Sequence, residues 1–481
     1  MLYNSLSFLA FFAVVFAAYW TIRTNRARLA LLLASSLGFY AAWYPRYLLL
    51  FLFVTALTYG AGIWLARVPT TETRLRRRIV FSAVASDLAI LAYFKYAGFL
   101  VTTSSTIASW AGIELAQRTI AIVLPLGISF YTFQSIAYIV DVHRGDVAAI
   151  RNPLDLALFK AFFPQLIAGP IVRSDELVPQ FASTRRPDPT QLTVGLDLVA
   201  LGLLKKVVVA DQVAVFSDKV FSTPEQFSSG VLLLGIYAYA AQIYCDFSGY
   251  TDIGRGCAKL LGYDLPLNFT SPYTSVNIVD FWRRWHMSLS RWLRDYLYIP
   301  LGGSRHGSAR TYANLAATMV LGGLWHGASW TFIAWGAFHG GLLAITRFTH
   351  DRFGVSGEVP LVRGRGYRLL ATAATFHAVC LGWVLFRAPD FGVVGRILTG
   401  IASATSISVA DLAAFGWITL GTTALGLGTA FALHAAGRFL APVDSGWRLG
   451  SVLRGVLYAI VVAVVALFST GGAQQFIYFQ F

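Results

Sequence analysis

The chain has 481 residues, of which 56% are hydrophobic, 15% aromatic and only 13% charged. That balance excludes a soluble globular enzyme and a disordered chain, and describes an all-α polytopic membrane protein. A formal charge of +15 would suit nucleic acid, but the basic residues cluster at the ends of apolar stretches, where they orient a chain in a membrane. No nucleic-acid partner is expected.

Apolar windows of about twenty residues, enough to cross hydrocarbon, recur without a soluble-length interruption, so residues 1–481 read as a single transmembrane domain. The first window, 6–20, has no basic region before it and another span after it, which marks an uncleaved helix rather than a signal peptide. Arg23, Arg26 and Arg28 follow it, whereas the next turn carries only Arg46. The positive-inside rule then places the N-terminus outside. The third span ends in a basic segment, 67–78, with Arg74, Arg76, Arg77 and Arg78, while 102–117 after the fourth span holds Glu114 and no Lys or Arg. Span five, 119–140, leads to His143, Arg144 and Arg151 on the inner side.

Residues 154–171 are mostly apolar but broken by Pro164 and Gly169-Pro170, and Arg-bearing segments flank both ends. A re-entrant hairpin fits that pattern better than a crossing, because broken backbone at membrane depth must be satisfied by protein or water. Further spans are expected at 192–216, 231–253, 312–324, 330–347, 369–386, 412–436 and 452–468, with 312–324 short for a crossing. The basic loops 347–368 and 437–448 are then cytoplasmic, and both termini lie outside.

Cys245, Cys257 and Cys380 are odd in number and lack metal-type spacing, so they read as small buried apolar residues, with no metal site and no disulfide framework. The chain also lacks a phosphate-binding Gly-Lys-Ser loop and a GxSxG elbow. Both absences argue against an ATP-driven pump and a serine hydrolase.

Two segments point to chemistry: Trp282-Arg-Arg-Trp-His-Met-Ser-Leu-Ser290 and Gly323-Leu-Trp-His-Gly327 place histidines in membrane-type sequence. Ionisable groups are costly there and usually line a cavity or react. His326 sits among Gly322, Gly323 and Gly327, small residues that let a helix or a substrate come close. An imidazole suits removal of a hydroxyl proton, although a solitary membrane histidine often only hydrogen-bonds between helices. His143, His306, His339, His350, His377 and His434 read as structural or surface residues.

Between 277 and 300, Arg283, Arg284, Arg291, Arg294 and Asp295 are interleaved with Trp282, Trp285, Trp292, Tyr296 and Tyr298. At helical spacing Trp285, Leu289, Trp292 and Tyr296 share one face. An interfacial helix with an aromatic belt and lipid-headgroup contacts accounts for this. So does a helix whose arginines attract phosphates of a donor. Upstream, Asp246-Phe-Ser248-Gly-Tyr-Thr-Asp252 ends an apolar span, and its acids are expected to pair with arginines of the 282–285 segment or to orient a histidine.

These segments, with Leu267-Asn-Phe-Thr-Ser-Pro-Tyr273 and the run from Asp280 to Gly303, resemble the membrane-bound O-acyltransferase family, and within it most of all the branch that serves bacterial alginate O-acetylation. The resemblance is dense over about 125–340 and extends to the final Phe476-Ile-Tyr-Phe-Gln-Phe481. It implies a dish-like helical enzyme with a central tunnel, in which His326 is catalytic and His286 is the second polar residue of the site. Asp246, Ser248, Asp252, Trp285, Trp325, Arg283, Arg284, Arg291 and Arg294 then bind donor or support the site.

The same resemblance implies acetyl-coenzyme A as donor substrate with no bound cofactor, an inner-membrane location, and a periplasmic SGNH-type acetyltransferase partner that esterifies a polysaccharide. A D-alanyl or lipid-directed acyltransferase, a transporter and an inert scaffold are the competing readings, and the polymer stays open. The tail of 469–481, expected outside, resembles a tyrosine-bearing motif of a partner peptide in teichoic-acid D-alanylation. Tyr478 is accordingly either an acyl relay or one of several aromatic rings tucked into the outer cavity.

Overall fold

The computed structural model describes residues 2–113, 122–166, 169–353, 364–403, 407–440, 450–468, 476 and 477. No strand occurs among the described residues, and six of their helices are long and apolar enough to cross a bilayer: Pro45–Arg67, Thr73–Trp110, Ser229–Leu260, Arg365–Arg387, Trp417–Ala436 and Ser451–Phe468. The chain divides into two compact units, one of residues 3–192 with 257–266, the other of residues 193–256 with 267–481.

In the first unit, α1 (Leu6–Thr21) starts where the Ser5 side chain accepts the Phe8 amide. Next come α2 (Asn25–Ala41), α3 (Pro45–Arg67) with proline at its first turn, and α4 (Thr73–Trp110). At 1.5 Å per residue the 38 residues of α4 run about 57 Å, well beyond a hydrocarbon core of about 30 Å. The basic segment read as an inner loop is therefore mostly the first turns of this helix, and only residues 68–72 connect it to α3.

Arg76 is buried although its neighbours at the start of α4 are exposed. Its guanidinium donates to the carbonyls of Leu65 and Val68 at the end of α3, and to those of Val142 and His143 at the end of α5 (Ile128–Arg144). Helix C-termini leave carbonyls without intrahelical donors, and one arginine here serves two such ends.

The segment expected to be re-entrant is broken at Phe162, between α6 (Pro153–Ala161) and α7 (Phe163–Leu166). The backbone freed there finds partners: the Phe163 amide donates to Ser36 Oγ at 3.1 Å and its carbonyl accepts Tyr3 Oη at 2.6 Å. Just before the break, buried Lys160 donates to Thr58 Oγ1 and Ser135 Oγ, tying α6 to α3 and α5. A short helix α8 (Ser174–Leu177) precedes α9 (Pro189–Leu203), which leads into the second unit.

In the second unit α9 continues as a π-helix, Leu204–Ala210, into α10 (Asp211–Ser222), and packs against α11 (Ser229–Leu260) along a glycine seam. A Cβ on Gly249 would lie 2.8 Å from the Gly202 carbonyl oxygen, and one on Gly202 would lie 2.6 Å from that of Gly249. Two turns along, Gly256 meets Gly195 in the same way. Backbones this close leave room for no side chain.

Two short helices, α12 (Ile278–Arg284) and α13 (Met287–Leu293), then precede the hairpin of α14 (Ser308–His326) and α15 (Trp330–Phe353). At 19 residues α14 is longer than the 312–324 stretch that suggested it. The rest is α16 (Arg365–Arg387), α17 (Phe391–Ser403), α18 (Val409–Ala413), α19 (Trp417–Leu440) and α20 (Ser451–Phe468). Helix α17 was not expected. It is a 13-residue amphipathic piece, too short to register as a span, that buries Val393, Val394 and Ile397.

The seam yields a direct test. Gly249→Leu should lower the thermal midpoint of the detergent-solubilised protein, overpacking costing about 1–3 kcal/mol or more. Gly38→Ala, at a helical glycine with nothing within 4 Å, should leave the midpoint unchanged or slightly raised. Equal midpoints for the two variants would contradict the seam.

Candidate active site

The segment from Asn277 to Pro300 is two helices rather than one. The backbone breaks at His286, which holds φ 43° and ψ 56°, a left-handed conformation that a non-glycine residue seldom adopts. Helix α12 ends as the Trp285 amide donates to Phe281, and α13 begins directly after the histidine. The expected single face of Trp285, Leu289, Trp292 and Tyr296 is therefore not one helical stripe: Trp285 precedes the break and the others follow it.

What holds the break is Asn268. Its carbonyl accepts the Met287 amide at 3.0 Å, and its Oδ1 accepts both the Ser288 amide at 3.1 Å and Ser288 Oγ at 2.9 Å. Nearby, the Thr270 amide donates to the Arg284 carbonyl. Sequence reasoning did not single out Asn268. The polar run Asn268-Phe-Thr-Ser271 in an otherwise apolar chain was the available signal.

The fold brings the two histidines of the motifs together. His326 is the last residue of α14, and its ring lies 6.5 Å from that of His286. Both are buried. Aromatic rings enclose the pair: Trp325, Trp335 and Phe386 lie 4.9, 5.2 and 5.2 Å from His326, and Phe247 lies 4.7 Å edge-on from His286. Neither ring nitrogen of His286 has a hydrogen-bond partner among the described residues. This histidine lies outside the six long apolar helices, and burial holds its imidazole well below the usual range, hence neutral. A neutral imidazole beside a second one, in an enclosure of aromatic rings, can donate one hydrogen bond and accept another.

Trp335 also touches His339 at 4.9 Å, so this buried histidine, expected to be structural, sits one ring from His326. His434 packs on Tyr244 and Tyr273, and His377 bonds to Tyr237.

The acids do not pair as expected. Asp252 binds Lys205 at 2.6 Å and Asp246 binds Lys206 at 2.7 Å; neither is paired with an arginine of the 282–285 segment. Lys206 also reaches Asp211, at 2.8 Å. The π-helix of residues 204–210 carries both lysines, and such turns widen a helix by a residue and recur at functional sites. An adjacent Lys-Lys inside an apolar window was a legible signal, hidden by reading basic residues as span ends.

Arg284 instead pairs with Asp280 one turn back, and Arg294 pairs with Asp295. Arg283 and Arg294 are exposed, and Arg291 is half-buried. Ser248 is buried beside Tyr244. All three cysteines are buried free thiols. Tyr478 lies outside the described residues, but Ile477 just before it donates its amide to Asp246 Oδ2 at 2.7 Å.

Residues 147–354, which hold both histidines, match the model of MBOAT, the membrane-bound O-acyltransferase family. The chain is 43% identical to "Probable alginate O-acetylase AlgI" of Pseudomonas putida over 82% of this chain and 79% of that protein. It is 35% identical to "Peptidoglycan O-acetyltransferase" of Helicobacter pylori over 86% and 82% of the two chains. With "Teichoic acid D-alanyltransferase" of Bacillus subtilis the identity is 31% over 55% of this chain and 69% of the relative. The paired histidines thus sit within the matched segment of a multi-pass helical membrane enzyme, an O-acyltransferase, and the chain belongs to the membrane-bound O-acyltransferase family.

Proposed function

We propose that this membrane O-acetyltransferase takes acetyl groups from cytoplasmic acetyl-coenzyme A and delivers them to a hydroxyl acceptor on the outer side of the inner membrane. A periplasmic SGNH-type acetyltransferase then esterifies an exopolysaccharide or cell-wall polymer. The observation that carries this reading is the buried pair of imidazoles 6.5 Å apart, ring to ring, inside the family-matched segment. The polysaccharide acceptor and the acetyl group follow the names of the relatives, an alginate O-acetylase and a peptidoglycan O-acetyltransferase. Both termini outside, a passage that lets donor and acceptor meet, and Tyr478 as a relay hydroxyl belong to the same reading.

In this mechanism His326 removes the proton of the acceptor hydroxyl as its oxygen attacks the thioester carbonyl. The oxygen that becomes negative receives a hydrogen bond from neutral His286. When the carbon–sulfur bond breaks, the His326 imidazolium returns its proton to the leaving thiolate, so atoms and charge balance. The bulky aromatic walls keep water from competing for the acyl group. Arginines 283, 284, 291 and 294 are the candidates for the phosphates of the donor.

His326→Ala is expected to cut acetyl transfer by about 10²–10⁴-fold with normal membrane abundance. His286→Ala should cost about 10²–10³-fold. His286→Asn should retain much more activity, because asparagine both donates a hydrogen bond and tolerates the left-handed backbone. Transfer of radiolabelled acetyl from acetyl-coenzyme A in purified protein measures all three, and full activity of His326→Ala would end the assignment.

Donor identity separates acetylation from D-alanylation. The purified enzyme should load label from acetyl-coenzyme A and none from a D-alanylated carrier protein, and the reverse result would place it with the teichoic-acid branch.

A further inference from the structure

We infer that Asp246 is a positioning residue, which fixes Phe476 and Ile477 against Phe247 and through that ring sets the imidazole of His286. The inference deepens the acyl-transfer reading and rests on it.

The argument starts from what orients His286. With no hydrogen bond to its ring nitrogens among the described residues, its direction depends on the strained backbone and on ring packing. Among the described residues the nearest ring is Phe247, 4.7 Å away and nearly perpendicular. Phe247 in turn touches Phe476, at 5.8 Å between centroids, and Phe476 lies 4.4 Å from Tyr250 one turn further along α11. A segment far along the chain from His286 thus forms part of the packing behind a site residue.

Phe476 and Ile477 are buried, at 0% and 2% exposure, so they are a packed element rather than a loose end. A buried amide needs an acceptor, and the Ile477 N–H finds Asp246 Oδ2 at 2.7 Å. The other oxygen, Oδ1, is held by Lys206 at 2.7 Å. The carboxylate that latches the tail is therefore itself oriented by an ion pair, and it belongs to the residue that directly precedes Phe247 on α11. Lys206 keeps Asp211 as a second partner, so Asp246 can be removed without stranding the ammonium.

The test uses the full-length, detergent-purified protein with Tyr478 left in place. In Asp246→Ala, hydrogen exchange of the C-terminal peptide that contains Ile477 should accelerate while exchange in α14 and α15 is unchanged. This readout needs no activity: unchanged exchange at the tail overturns the latch even if acetyl transfer is confirmed, and absence of transfer in the parent protein refutes the acyl-transfer reading separately. Asp246→Ala and Phe476→Ala should each lower kcat by about tenfold to a hundredfold with KM for the acetyl donor little changed, and Phe476→Leu should restore most of the loss. Combined with His286→Ala, the Phe476→Ala change should add nothing further, since both act on one group. A fully additive loss in that background would show that the tail does not work through His286.

Discussion

An apolar interior cannot solvate an ammonium or a carboxylate, so a charge buried there has to meet an opposite charge or a set of hydrogen-bond partners. Lys205 with Asp252, and Lys206 with both Asp246 and Asp211, meet that requirement in the second unit. Two adjacent lysines on a regular α-helix diverge by about 100°, yet here both reach α11 from a π-helical stretch. The glycine seam brings the backbones of α9 and α11 into contact, and the ion pairs fix how far one helix can slide or rotate on the other. Removing one member of the Lys205–Asp252 pair costs about 3–5 kcal/mol, because the stranded charge has no second partner there.

That arrangement matters for the site because α11 carries Phe247, whose ring packs edge-on against His286. His286 is held under strain: a left-handed conformation at a non-glycine residue costs about 1–3 kcal/mol and is retained through three hydrogen bonds that Asn268 accepts and through the surrounding rings. The break turns the histidine out of the stripe that a continuous helix would have made and sets it beside the end of α14. His326 needs no such device. As a helix-terminal residue it projects where α14 stops, and the tight approach of α15 at Gly323, where a Cβ would come within 2.2 Å of the Phe332 carbonyl, keeps that end in place.

Aromatic residues serve two purposes that composition alone cannot separate. On outward faces Trp64, Trp110, Trp330 and Trp417 are exposed, in keeping with a lipid or headgroup boundary. Inside, Trp285, Trp335 and Trp383 are among the largest fully buried side chains and pack on one another near the imidazoles. In sequence the Trp-Arg-Arg-Trp segment suits both an interfacial belt and a helix whose arginines meet a donor's phosphates. The structure splits it, with Trp285 in the interior and Arg283 outside.

Hydrophobic runs of membrane-spanning length, the basic residues at their ends and two long histidine motifs were legible directly, since each is a property of neighbours along the chain. They determined the class, most of the helices and the family. Three things were decided only in three dimensions: that Asp246 and Asp252 answer to Lys206 and Lys205, that the chain breaks at His286 under the hold of Asn268, and that Phe476 packs on Phe247. Each depends on which distant segments meet, and side-chain periodicity carries no information about that. A buried charge announces in sequence that it needs a partner, and only the packing of helices selects which one it receives.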